Sequence, residues 1–585
     1  MKQLVMKYLR PYFLKMGIGF VIKFGGTIMD LCIPYILAHI IDRVIPAQNR
    51  PAVFGWGGLM LLCSFLAVSM NIIANRMASR VASDAAEIIR RDLFSKTMHL
   101  SNAQIDSFTK PSLISRMTTD TYNVHQALGR VQRLGVRAPI LLLGGILVTF
   151  TLDWAMACVL LAALPLLALI TIAVSRRSIP MFGALQEAID RFVRMVREDI
   201  AGIRVIKALS RTGFETEKFR SINAEVARRE KKNGMVMAVI DPSVSILLNL
   251  GLVGVILTGA FRVNAGISEV GKILAFTTYF TIILNAVMSI TRMFTMLSKA
   301  IASGSRIWQV LECGEDLQVL EKVYGEEKHE EMHGEEVMED CEICFDHVTF
   351  SYRKKGEPNI RDLSFCIRPG ETLGIIGEIG SGKSTIINLL LRLYDVDRGR
   401  ILIGGRDVRE IPTREFKEMF GVVFQNDTLF EDTIAGNVTL GRRLGEEQVK
   451  EALLYARASE FVENRSGREE EALNIKGANL SGGQKQRVLI ARALAARPRI
   501  LILDDSSSAL DYRTDAQLRR GIREHFQETT LVVVAQRIST VRNADQILVM
   551  EDGAPVGYGS HGELLENCAV YREISRSQMG EEAAG

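Results

Sequence analysis

The pattern of hydrophobic and polar positions divides this chain of 585 residues in two. Up to about residue 311 it carries six long apolar stretches, at residues 16–45, 53–73, 139–151, 155–174, 235–260 and 267–294. A helix rises about 1.5 Å per residue and a bilayer's hydrocarbon core is about 30 Å thick, so a run of roughly twenty apolar residues spans it. Five stretches meet that length. The third reaches it only by starting near Gly129, with Arg133 and Arg137 in a cytoplasmic extension. Lys2, Lys7, Arg10 and Lys15 punctuate the start, and no small-residue cleavage site follows, so the first span is expected to be retained.

The connections sharpen this picture. Those near Gln48, Asp153 and Asn264 are short, whereas those after the second and fourth spans run to about sixty residues and carry Arg90, Arg91, Arg116, Arg176, Arg204, Lys207, Arg228 and Lys231. The positive-inside bias puts the long loops and the N-terminus in the cytoplasm. They lack Pro and Gly clusters and keep helical periodicity, so the spans should continue into the cytoplasm, a helix over 53–98 reaching about 70 Å. Residues 312–342 form an acidic stretch with Glu326, Glu327, Glu330, Glu331, Glu335, Glu336 and Glu339, expected to be a linker. From 343 to 585 short strand and helix patterns alternate, as in a soluble α/β domain.

Composition agrees with a part-membrane chain: 48% of residues are hydrophobic, yet 24% are charged. The net charge of +4 is too near balance for a nucleic-acid footprint. Eight cysteines, of which Cys32, Cys63 and Cys158 lie in apolar runs, are not a disulfide framework, and free thiols are expected.

Gly377, Glu378, Ile379, Gly380, Ser381, Gly382, Lys383 and Ser384, after an apolar run and before the helical pattern that opens at Thr385, fit the phosphate-binding P-loop. The glycines let backbone N–H groups wrap phosphates at a helix N-terminus, Lys383 can reach the β- and γ-phosphates, and the Ser384 hydroxyl can ligate Mg²⁺. Ile500 to Leu503 read as a buried strand ending in Asp504, the carboxylate that a P-loop ATPase needs in its Mg²⁺ shell. Ser481, Gly482, Gly483 and Gln484, after Asn479 and Leu480, open a second helix with phosphate-binding geometry. Cys341 and Cys344, near His329, His333 and His347, have zinc-like spacing, but their alternating neighbours read as an edge strand.

That pentad at Leu480 to Gln484 is where the sequence resembles the ATP-binding-cassette (ABC) transporters, and the whole chain resembles an exporter half-transporter of multidrug type. The resemblance implies a membrane α-helical six-span domain of the type IV ABC exporter kind over 1–311, and an α/β P-loop nucleotide-binding domain over 343–585. ATP and Mg²⁺ are the implied cofactors. Tyr352 matches the aromatic that stacks on adenine and Gln425 the glutamine that senses Mg²⁺ and the membrane domain. Ser508 to Asp511 match the loop after the catalytic strand. Residues 101–120 and 202–208 resemble the two cytoplasmic coupling segments. The implied setting is the bacterial plasma (inner) membrane, with N-terminus and ATP-binding domain cytoplasmic and a small amphipathic or lipid-like substrate.

Two departures stand out. Where the family places a catalytic glutamate this chain has Asp505, one methylene shorter, and where it places a switch histidine it has Gln536, which cannot carry an imidazole's charge. Ile475, Lys476 and Gly477 also depart from the family's usual acidic residue just before the signature. Cassettes of this family pair head to tail, each site joining one chain's P-loop to the other's signature. A degenerate own site beside an intact signature implies a non-identical partner with the missing glutamate and histidine. An ATP-gated regulatory or channel-like protein and a homodimeric pump are the rival readings. Within the spans, Asp241 and Arg292 lie at similar depth and are expected to pair.

Overall fold

The computed structural model describes residues 2–314, 317, 341–352, 356–506 and 509–579, apart from the side chains of residue 2 and of a few residues between 164 and 295. Most of the acidic linker and the Asp241 side chain of the expected pair lie outside the described residues. Two compact units result: Met1–Met98 with Pro111–Cys313, and His99–Lys110 with Gly314–Gly585.

The helices in chain order are α1 (Lys2–Leu9), α2 (Phe13–His39), α3 (Arg50–Met98), α4 (Asn102–Phe108), α5 (Lys110–Ser115), α6 (Thr121–Leu152), α7 (Trp154–Ala201), α8 (Ile203–Ala208), α9 (Thr212–Met237), α10 (Ile240–Asn264) and α11 (Val270–Leu311). All but α4, which belongs to the second unit, lie in the first. Among the described residues five stretches are long and apolar enough to cross a membrane: Gln3–Val44, Arg50–Met98, Lys110–Leu152, Thr212–Asn264 and Val270–Ile290. The fourth expected span falls in α7, whose described apolar segment is Trp154–Ala163.

α3 is one helix of 49 residues, about 70 Å at 1.5 Å per residue. It buries Ala67, Ala74, Ala78, Ala82 and Ala85 and turns Phe54, Leu61 and Phe65 outward. Small residues let helix backbones approach where apolar burial gives no preference for protein over lipid. Gly145 of α6 serves the same end against α11, since a Cβ there would sit 2.8 Å from Ile283 Cγ1. The short connections match the sequence pattern. Asp153 caps α7, accepting from the N–H of Ala155 at 3.0 Å, and receives Arg262 Nε at 2.9 Å.

The second unit is built on two sheets. Strands β1 (Ile343–Phe350), β2 (Ile360–Ile367), β4 (Arg398–Ile403) and β5 (Arg406–Asp407) form an antiparallel sheet in the order β2-β1-β4-β5. Strands β3 (Thr372–Gly377), β6 (Phe420–Val423), β7 (Ile500–Asp504), β8 (Thr530–Val534), β9 (Gln546–Glu551) and β10 (Ala554–Gly559) form the other, in the order β10-β9-β3-β8-β7-β6. All its pairings are parallel except β9 with β10. β7 and β8 are buried along their whole length, as apolar strands between two covered faces must be.

One expectation is corrected: not all cysteines are free thiols. Cys344 and Cys366 form a disulfide, because the β1–β2 register sets them directly opposite one another. The other six are not disulfide-bonded.

Candidate functional site

In an open parallel sheet the loops leaving the carboxyl ends of the strands converge on one crevice, and four strands do so here. β3 runs into the P-loop, β6 into Gln425, β7 ends at Asp504 and passes to Asp505, and β8 passes to Gln536. Together these residues line a cleft of about 210 Å³ with Ile379, Gly380, Gly382, Lys383, Ser384 and Thr385. Residues distant in sequence, from Ile379 to Gln536, thus share one site.

The P-loop opens helix α12 (Lys383–Leu390). Its glycines are needed: a Cβ on Gly377 would sit 2.2 Å from Met550 O, and Gly382 caps the helix at φ +101°, where L side chains are strained. The Lys383 ammonium donates to the carbonyls of Gly377 at 2.8 Å and Glu378 at 2.6 Å. Burial lowers its pKa, against the raising effect of Asp504 and Asp505. A half-desolvated cation beside the free N–H groups of a helix terminus is complementary to phosphate.

Asp504 is buried, and burial first, then the charge of Asp505, raises its pKa, while the Ser384 hydroxyl, 3.5 Å from its Oδ2, lowers it. Such a carboxylate, beside a hydroxyl and near the amide of Gln425, fits a divalent cation, whose charge would offset that cost.

Asp505 has φ +48°, a region Asp tolerates better than most residues. Its Oδ2 accepts from the side-chain amides of Gln425 and of Gln536, each at 3.3 Å. Sequence reasoning missed what fixes Gln536: the helix Ala569–Met579 places Gln578 so that its Nε2 donates to Gln536 O at 2.7 Å and its Oε1 accepts from Ile538 N–H at 2.8 Å.

Tyr352 does not line the cleft, but its hydroxyl lies 3.3 Å from Thr385 Oγ1 and accepts from Asn388 Nδ2 at 3.0 Å. Its ring meets those of Phe350 and Tyr394 edge-on, with centroids 4.9 and 5.1 Å away. Asn359, which no motif flagged, lines the cleft and accepts from Tyr352 N–H at 3.0 Å.

Ser481 to Gln484 are not among the residues lining the cleft. Ser481 caps helix α13 (Gly482–Leu494), accepting from Gln484 N–H at 3.3 Å while Gln484 Oε1 accepts from Ser481 N–H at 3.1 Å. Ser481 is exposed, and its own N–H and that of Gln484 are engaged in this box. A Cβ on Gly483 would sit 3.1 Å from Ala509 O, which ties the signature to the loop after β7. Ser508 of that loop lies outside the described residues, and Asp511 caps helix α14 (Tyr512–His525).

Of the two expected coupling segments, residues 99–110 cluster with the second unit. There Ser101 and Gln104 form a capping box on α4, and Tyr394 Oη donates to Asp106 Oδ2 at 2.7 Å. The other contains α8, whose Ile203 and Val205 are exposed in the first unit.

Residues 16–287 match the family described as ABC transporter transmembrane region, and residues 360–508 the family described as ABC transporter. The chain is 32% identical to YfiB of Bacillus subtilis, named an uncharacterized ABC transporter ATP-binding protein, over 100% of this chain and 99% of that one. It is 30% identical to a fatty acid ABC transporter ATP-binding/permease protein of Mycobacterium tuberculosis, over 88% of this chain and 80% of the relative. A solved bacterial Atm1-family ABC exporter with ATP bound superposes with a TM-score of 0.80 at 22% identity, covering 98% of this chain and 99% of that one.

Proposed function

The chain belongs to the ABC transporters, as an ATP-driven exporter half with both domains in one polypeptide, and from that premise we propose that it is the degenerate-site subunit of a heterodimer. Its substrate on this reading is a small amphipathic or lipid-like molecule, moved across a bacterial inner membrane, with the cassette on the cytoplasmic side. The name of the fatty acid relative supports a lipid-like class.

The observation that carries the reading is the state of Asp505. A general base must reach the attacking water, its proton donor, along a free lone pair, and catalysis by a positioned base contributes about 10²- to 10⁴-fold. Here the carboxylate is shortened, and two neutral amides share one of its oxygens. Gln536 can orient and donate but cannot take up a proton as a histidine can. Lys383, the P-loop N–H groups and Tyr352 retain what binding requires, whereas Asp505 and Gln536 lack what hydrolysis requires. Mg²⁺ bound beside Ser384, Asp504 and Gln425 would neutralise charge on the nucleotide's phosphates. The exposed Ser481 terminus, which does not line the chain's own cleft, would complete a site on another chain.

The experiment is turnover of the purified chain alone against the chain copurified with its native partner. On this reading the single chain hydrolyses ATP at least about 10²-fold more slowly than the pair. Equal turnover would establish a homodimeric pump instead.

A further inference from the structure

We propose that the groove between α3 and α6 is a binding site for an anionic amphiphile, its acidic head held by Arg76, Arg80 and Arg133 and its acyl chain lying along α3. This deepens the export reading by naming a substrate class, and rests on that reading for its role in transport but not for its existence.

The groove has a volume of about 520 Å³ and is lined by Ile72, Asn75, Arg76, Ser79, Arg80 and Arg133, three arginines and no carboxylate. Among the described residues none of the three is in an ion pair; Arg133 donates its Nε to Gly129 O at 3.0 Å. The neighbouring acids do not compensate. Asp30 is taken by Arg137 at 3.1 Å, and Asp84, one turn beyond Arg80, is exposed. Behind the groove wall a fourth cation is buried: Lys23, 3% exposed, donates its Nζ to Asn75 Oδ1 at 3.0 Å and pairs with no described carboxylate. Burying a cation whose nearest counter-charge, Asp30, is itself paired with Arg137 is costly, and sites that carry such a cost at membrane depth are functional by default.

Depth selects the ligand. The apolar stretch of α3 ends at residue 73, so Arg76 and Arg80 follow it by about 5 and 10 Å along the axis, at the level of the inner headgroups. Toward the hydrocarbon, Leu61, Phe65, Val68 and Ile72 stand at intervals of four, three and four residues, which places them on one face of α3. All four are exposed, and the same face continues into Arg76. A hydrophilic anion would leave that stripe unused, and a lipophilic cation would meet four positive charges. A molecule with an acidic head and an acyl chain satisfies both halves.

The test measures binding of three spin-labelled probes to the full chain in phosphatidylcholine nanodiscs, without nucleotide: stearate, its methyl ester, and phosphatidylglycerol. An anionic probe should bind about tenfold or more tighter than the ester, a margin of about 1.4 kcal/mol. Arg76→Gln with Arg80→Gln should remove that preference. Arg76→Lys with Arg80→Lys should keep most of it, and retained photolabelling of the P-loop shows that both variants fold. Displacement of labelled phosphatidylglycerol by free stearate assigns the groove to single-chain acids, and resistance to displacement assigns it to bilayer phospholipid; either supports an anionic-headgroup site. Equal binding of acid and ester, or a preference that survives both glutamines, overturns the proposal and shows arginines that merely snorkel. Binding that persists while ATP moves no stearate in vesicles would sink the transport role alone.

Discussion

The side-chain amide of Gln536 donates to Asp505 Oδ2 at 3.3 Å, and that of Gln425 reaches the same oxygen from the other side. The two positions that depart from the family pattern therefore bond to each other. A histidine at 536 could exchange a proton with its neighbour, but an amide pair with a carboxylate only orients it. The arrangement is held from behind by Gln578, whose two hydrogen bonds fix the backbone on either side of Arg537. On the reading proposed above, shortening of the acid and loss of the imidazole are one change, in which a hydrolytic pair would become a positioning pair.

Replacing Asp505 with Asn should accordingly change turnover of the assembled transporter by less than about threefold, since no base of the usual 10²- to 10⁴-fold effect is removed. Neutralising the partner's glutamate should abolish it. A fall of about a hundredfold from Asp505→Asn, in steady-state ATPase assays, would falsify the degenerate-site reading.

On the degenerate-site reading, nucleotide should remain at this P-loop through a turnover that empties the partner's, because Lys383, Ser384 and Asp504 are in place. Photolabelling with an azido-ATP analogue should mark this chain, and Lys383→Ala should remove the label. Label confined to the partner would show that this loop has no nucleotide to retain.

Acid should weaken Mg²⁺-dependent nucleotide binding earlier than an ordinary carboxylate allows, because Asp504 protonates above its usual range and its ionised form is the metal ligand. The folded pKa lies above the unfolded one, so Asp504 favours folding as pH falls through its folded value and ceases to as pH rises. The charge of Asp505 is the second cause of that shift. Asp505→Asn should therefore move the acid midpoint of Mg·ATP binding to lower pH, as measured by titration of nucleotide fluorescence. No shift, or a shift upward, would show that the two carboxylates do not interact.

How much of this was legible in the sequence follows from how each feature is encoded. The P-loop, β7 and the signature are short contiguous strings whose chemistry depends on local backbone, so spacing alone placed them. Gln578 and Asn359 act through contacts made across 42 and 7 residues, and nothing near them in the chain signals it. The Cys344–Cys366 bond was missed for a related reason: antiparallel register, which sets the two sulfurs opposite, is fixed by pairing partners and not by cysteine count. Long helices past the bilayer were foreseeable at α3, where no Pro or Gly cluster interrupts the passage from the apolar run 53–73 into the helical pattern up to Met98. The cationic groove escaped because Arg76 and Arg80 lie more than fifty residues from Arg133, on a different helix, and the three converge only when α3 and α6 pack.

α4 meets its own cassette through a hydrogen bond from Tyr394 Oη to Asp106 Oδ2 at 2.7 Å. A bond to a charged acceptor contributes about 1.5–3 kcal/mol, less where it is exposed. Tyr394→Phe should leave basal ATPase unchanged and lower its stimulation by transported substrate about threefold or more. Equal stimulation in the variant would show that Asp106 is not what holds the segment.

The cytoplasmic end of the helical unit offers the last prediction, at Asp120. This carboxylate is fully buried and accepts from Arg306 and, at 2.8 Å, from Ser303 Oγ, which itself receives Asn123 Nδ2 at 3.1 Å. A buried charge stripped of its partner costs about 3–5 kcal/mol, far more than the net value of the pair. Arg306 is half exposed, so water would recover part of that loss, and Arg306→Gln should destabilise the solubilised protein by about 2–3 kcal/mol. Asp120→Asn should cost less, because its amide oxygen can still accept from Ser303 and the cation it leaves behind, Arg306, is half exposed to water. The double variant should then be more stable than Arg306→Gln alone, a coupling of about 1 kcal/mol or more in denaturation of the four forms. If the two single effects simply add, the charge of Asp120 is balanced elsewhere, and the α6 to α11 contact at this end is held by packing and Ser303.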